Sequence, residues 1–149
     1  MCRQASGGAT MVVMDRPVMV PSGPTLDAAY PIALAEFYER LLGWPIARRE
    51  GPHPGNPPND GWAMLRSPVP GQKLEMQWDP HYRPPVWPSV PGEQQMMVHI
   101  DIGVADLAIG VAWALEQGAR LAGHQPQDDV RVMLDPEGHP FCLFYDDRL

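Results

Sequence analysis

The stretch QMMVHIDIGVADLAIGVAWALEQG, residues 95–118, changes its hydrophobic period once, and that change decides the fold. Over Gln95–Val104, the apolar residues Val98, Ile100, Ile102 and Val104 alternate with Met97, His99, Asp101 and Gly103. A period of two predicts a strand with one apolar face and one more polar face. From Asp106 the period lengthens. Asp106 suits an N-cap, Leu107, Val111, Ala114 and Leu115 form a helical stripe, and Gly118 suits the stop. Downstream, VRVML (Val130–Leu134) and FCLFY (Phe141–Tyr145) read as strands joined by a tight turn at Asp135–Gly138.

The same order recurs upstream. AAYPIALAEFYERLLGW (Ala28–Trp44) places Leu34, Phe37, Tyr38, Leu41 and Leu42 on one helical stripe. Pro31 suits the first helical position and Gly43 the stop. WAMLR (Trp62–Arg66) and LEMQW (Leu74–Trp78) read as strands with a turn at Gly71. Gly43 and Gly118 close the two helices 118 − 43 = 75 positions apart, so the chain carries a degenerate βαβββ repeat. Each half is too small to bury a core alone, and the two are expected to pair. The predicted class is α+β, two βαβββ modules forming an incomplete barrel with a central cleft. An extension over residues 1–20 precedes a first module over 21–92, which includes a proline-rich loop, and a second over 93–149. Nine of the nineteen prolines cluster at Pro52–Pro58 and Pro80–Pro91, where they predict ordered loops between elements.

The chain has 149 residues and a formal net charge of −7. That balance disfavours a general nucleic-acid binder, which needs a basic face, and it disfavours an anionic membrane surface. No apolar run approaches the ~20 residues of a spanning helix. The short run Met11–Met14, interrupted by Asp15 and Arg16, does not read as an export signal, so the expected location is the cytoplasm. Two cysteines, Cys2 and Cys142, do not make a disulfide framework. Phosphate-cradling glycine loops and nucleophile-elbow motifs are absent from the sequence.

AEFYERLLGWP, VHIDIGVADL and VMLDPEGHPFCLF together resemble the vicinal oxygen chelate superfamily, which holds glyoxalase I, bleomycin- and fosfomycin-resistance proteins and extradiol dioxygenases. The resemblance is strongest to the bacterial glyoxalase-like domain group and spans residues 20–147. It implies a cleft lined by the concave sheet faces. It also implies four metal-ligand positions, falling at about Gly23, Glu75, His99 and Cys142. Gly23 offers no side chain and Cys142 stands where Glu is usual, so the set is incomplete. A homodimer is implied as well.

The alternation independently sets Glu75, His99 and Cys142 opposite in face to their apolar neighbours. A His, a carboxylate and a thiol suit a borderline divalent cation such as Zn, Ni, Mn or Fe. The plainer reading makes Cys142 a small buried residue, His99 a hydrogen-bonded cleft histidine and Glu75 a wet carboxylate. Asp101, on the face of His99, is read as a base, an orienting group or a solvated carboxylate; Glu75 is the other candidate base. His139 is read as turn support, and His53, His81 and His124 as loop residues. Trp62, Gln77, Trp78, Tyr82 and Trp87 are the candidate ligand-binding residues, with Trp87 as a lid or subunit contact. Trp44 and Trp113 are read as core. The resulting expectation is a protein that binds a small organic molecule in the sheet cleft without the full metal set. The alternative is a divalent-metal-dependent lyase or isomerase of the glyoxalase type.

Overall fold

The computed structural model describes Met19 and residues 21–149; the expected N-terminal extension, apart from Met19, lies outside the described residues. The first module runs β1 (Thr25–Ala28), α1 (Pro31–Leu42), β2 (Ile46–Glu50), β3 (Trp62–Arg66) and β4 (Lys73–Trp78). The second runs β5 (Ile100–Val104), α2 (Leu107–Gln117), β6 (Arg120–Leu121), β7 (Val130–Leu134) and β8 (Pro140–Tyr145). Each module forms a four-stranded sheet of the same topology, β1-β4-β3-β2 and β5-β8-β7-β6. In both, the first strand pairs parallel to the last and the others pair antiparallel. This is the predicted α+β arrangement of two βαβββ modules, with no closed barrel. Among the described residues, no helix is long and apolar enough to cross a membrane.

Alternation decides which face of each sheet meets a helix. Leu26, Ala28, Ala63, Leu65, Leu74 and Met76 are buried on the α1 side of the first sheet. α1 adds Leu34, Ala35, Phe37 and Tyr38, all nearly or fully buried. Tyr38 stacks edge-on to Phe37 at 4.9 Å, and both rings lie within 6.4 Å of the Phe141 ring on β8. The two modules therefore share one core. Burying such rings and leucines contributes about 1.5–3 kcal/mol each, which neither half could accumulate alone.

The first helix begins at Pro31 and stops at Gly43 as expected, and Ala28 closes β1 before it. Several boundaries differ from the sequence reading. The strand expected from Gln95 begins only at Ile100. β8 opens with Pro140, which has no N–H to donate, and the ladder starts at Ile100 opposite Phe141. Val98 and Met97 are exposed accordingly. β2 and β6 carry polar, mostly exposed residues and show no alternation to read. Trp113, expected in the core, is 45% exposed, and its Nε1 donates to the Leu41 carbonyl at 3.0 Å. Leu115 is also exposed, so α2 buries only Ala114 fully, against five residues for α1.

Candidate functional site

In the parallel β5–β8 pair, Asp101 stands opposite Cys142. Ile100 and Ile102 face the core, so Asp101 and Cys142 point to the opposite face of the sheet. The antiparallel β7–β8 register adds Val132 opposite Cys142. The proline-rich linker between β4 and β5 crosses this face and brings in Trp87. The indole is fixed, since Nε1 donates to the His124 carbonyl at 3.0 Å. Trp87, Met96, His99, Val130, Val132 and Cys142, with Pro126, Gln127 and Pro140, line a cavity of about 220 Å³.

The polar floor of this face is a three-residue cluster. His99 Nε2 lies 3.1 Å from Asp101 Oδ1. One donor atom from each of His99, Asp101 and Cys142 falls within 4.8 Å of the other two. Burial pushes the Cys142 thiol pKa up from its ordinary value, and the charge of Asp101 and the hydrogen bond to it push the same way. At neutral pH the sulfur is a protonated donor to Asp101 rather than a free thiolate nucleophile.

The first module fills the corresponding positions differently, next to a cavity of about 630 Å³ lined by Met64, Arg66 and Lys73. Thr25 stands opposite Glu75 in the parallel β1–β4 pair, as Asp101 stands opposite Cys142. Glu75 is nearly buried, and it accepts from Lys73 Nζ at 3.0 Å and Thr25 Oγ1 at 3.4 Å. Gly23 adopts φ 136°, and a Cβ there would collide with the Lys73 carbonyl, so this position requires glycine. Glu75 is not in the His99 cluster. On the same sheet face, the Arg48 guanidinium lies 5.7 Å from the Trp62 ring centroid, and Gln77 Nε2 donates to Asp27 Oδ1 at 2.7 Å. Trp78 alternates with Gln77 and lies on the face of Leu74 and Met76, away from the concavity. Tyr82 donates its hydroxyl to the Glu137 carbonyl at 3.0 Å, outside the cavity lining. Of the aromatic residues singled out from the sequence, Trp87 alone lines the cavity with His99 and Cys142.

Four contributors escaped the sequence reading. Val130 and Val132 were legible in principle, because they share a face in VRVML. Met96 and the His124 carbonyl had no local signal, since long loops bring them in. A second cavity of about 620 Å³ lies between the modules, where Leu42, Trp44 and Leu74 face Ile100, Ile102 and Leu149, and Asp101 reaches its edge.

The family model of the glyoxalase-like domain matches residues 24–144. No curated protein sequence matches the chain. Among solved structures, a glyoxalase family protein from Enterococcus faecalis is similar at 22% identity and a TM-score of 0.60, covering 83% of this chain and 95% of that one. TnmS3, an antibiotic-binding protein from a Streptomyces species, is similar at 12% identity and a TM-score of 0.56, covering 89% and 100%. The trypanothione-dependent glyoxalase I of Leishmania major is similar at 17% identity and a TM-score of 0.52, covering 85% and 86%. With the family model spanning both modules and the paired βαβββ fold in place, the chain belongs to the glyoxalase-like domain family of the vicinal oxygen chelate superfamily.

Proposed function

We propose that the protein binds a small, flat organic molecule on the concave face of its second module, without a complete metal-ligand set. The supporting observation is a fixed indole, Trp87, on the wall of an apolar cavity whose floor is His99 and Cys142. Rigid aromatic walls with a few convergent polar groups suit a planar ligand. A volume of about 220 Å³ is below that of a drug-sized site, so it takes one ring system and leaves the rest of a larger ligand outside. His99 would orient that ring system by a hydrogen bond, and Asp101, 3.1 Å from its Nε2, would hold the imidazole in place. That TnmS3 binds an antibiotic supports the capacity of this fold for such a role.

A second reading is favoured by the convergence of His99, Asp101 and Cys142. Nitrogen, oxygen and sulfur donors together fit a borderline divalent cation, and those three residues would hold it. Bound there, the cation would act as a Lewis acid on a substrate oxygen. The residues themselves work against ready loading, because the Cys142 proton must leave a thiol whose pKa is raised. The reading also includes self-association, supported by Ile109, Trp113 and Leu115 exposed along α2.

Tryptophan fluorescence titrated with a panel of planar antibiotics and aromatic metabolites tests the binding reading. Quenching by at least one member is expected, lost in Trp87→Ala and kept in Trp78→Ala. Quenching that survives Trp87→Ala contradicts it. Elemental analysis after equilibration with Zn²⁺, Ni²⁺, Mn²⁺ and Fe²⁺ separates the second reading. About one ion per chain, lost in His99→Ala, would carry it.

A further inference from the structure

The seam between the modules carries a partly buried titratable group that the binding site does not use. His139 lies in the β7–β8 turn, and its ring faces acceptors on both sides. Nδ1 is 2.8 Å from Asp135 Oδ2. Nε2 is 2.9 Å from the Asp27 carbonyl of β1 and 3.1 Å from the Tyr82 hydroxyl of the linker. The Tyr82 hydroxyl lies 3.0 Å from the Glu137 carbonyl, and when it donates there its oxygen is free to accept from Nε2. A neutral imidazole has one N–H, so either tautomer would set a nitrogen lone pair against a carboxylate or a carbonyl oxygen. The doubly protonated ring donates on both sides, whereas the neutral Nδ1–H tautomer needs the Tyr82 hydroxyl turned toward Nε2 and leaves the Asp27 carbonyl without a donor.

The groups around it hold that charge. Asp135 is fully buried and also accepts from the Tyr38 hydroxyl of α1 at 3.1 Å and from the Glu137 and His139 amides at 3.0 and 2.9 Å. Glu137, in the same turn, accepts at 3.1 Å from the Ala29 and Tyr30 amides between β1 and α1. Gly138 packs on the linker, where a Cβ would come within 2.8 Å of Pro84. The charged and titratable groups facing the ring are therefore Asp135 and Glu137 from its own turn, Asp27 from β1, Tyr82 from the linker and, through Asp135, Tyr38 from α1. Burial opposes the imidazolium, but the Asp135 hydrogen bond and charge, the Asp27 carbonyl and Glu137 outweigh it, and the His139 pKa is raised from 6.5. Both phenols are pushed above their ordinary range, first by burial and then by Asp135, so they stay neutral.

We propose that the β7–β8 turn is a proton-operated clasp: the His139 imidazolium ties Asp135 to β1 and the linker, and losing its proton loosens the seam between the modules. On deprotonation, Nε2 can be served only by the Tyr82 hydroxyl turning away from Glu137, and the Asp27 carbonyl loses its N–H donor. The sign follows from linkage. A histidine with a raised folded pKa contributes stability that is complete below about 6.5 and is lost as pH rises through the folded value.

NMR titration of the wild-type chain from pH 5 to 9 tests this directly. The expected result is a His139 imidazole with a midpoint above 6.5 and both ring N–H protons shielded from exchange below it. The Ala29 and Tyr30 amides, held by Glu137, should lose protection by several-fold above that midpoint, after correction for intrinsic exchange. His139→Gln should remove the pH step in that protection while the chain stays folded. A midpoint at or below 6.5 overturns the clasp, as does protection that is level across the titration. If His139→Gln does not fold, the wild-type titration still decides.

Discussion

The two modules share a topology and a strand register, yet they use the same positions in opposite ways. In the first, the Thr25–Glu75 pair is filled in: Lys73 neutralises the carboxylate and Gly23 lets the backbone close against Lys73. In the second, the Asp101–Cys142 pair stays open beneath Trp87, with His99 beside it. The difference teaches that a repeated fold need not repeat its site. One Lys–Glu pair and one glycine are enough to take the equivalent carboxylate out of a donor cluster, while Met64, Arg66 and Lys73 still line a cavity of about 630 Å³ at that end of the first sheet.

The shared seam is where the largest effect is expected. Asp135→Ala removes the carboxylate that accepts from Tyr38, His139 and two amides, and leaves donors buried. A loss of about 3–5 kcal/mol is expected, which denaturant unfolding measures. A loss below ~1 kcal/mol would mean that the modules hold together without the turn. At the open positions, Trp87→Ala is expected to weaken binding of a planar ligand about tenfold, roughly 1.4 kcal/mol, read by calorimetric titration because the variant lacks the quenched indole. Trp62→Ala, on the closed module, should leave the same titration unchanged.

Smaller effects sharpen the contrast. Asp101→Asn takes away the negative charge that helps hold the Cys142 thiol protonated. Alkylation of Cys142 at pH 8 should then run several-fold faster than in the wild type; an unchanged rate would leave burial as the sole cause. Lys73→Met frees Glu75 from its partner, and a stability change within about 1 kcal/mol is expected for this partly exposed pair, read from the denaturation midpoint.

The fold was legible where alternation met a core. WAMLR, VRVML and FCLFY match β3, β7 and β8 within a residue, because a strand with one buried face must alternate. β2 and β6 escaped because both are mostly exposed edge strands, so nothing forces a pattern on them. Trp113 was misplaced for a related reason: a helical stripe reports an apolar face, and α2 carries more apolar surface than its small sheet can cover. At the site, face parity placed His99, Asp101 and Cys142 on one side, and the parallel register then set Asp101 opposite Cys142. Parity could not show that Lys73 would satisfy Glu75, two residues away on the same face, since that depends on how a flexible side chain settles. Met96 and the His124 carbonyl lay beyond reach because loop paths are not written in any period.

Chemical-shift mapping on the isotope-labelled chain tests the asymmetry most directly, with the planar antibiotic and aromatic panel as probes. The amides of His99, Asp101, Val132 and Cys142 and the indole N–H of Trp87 are expected to move on binding, while those of Thr25, Met64 and Glu75 stay in place. Movement centred on Thr25, Met64 and Glu75, or no movement with any member of the panel, would contradict the account.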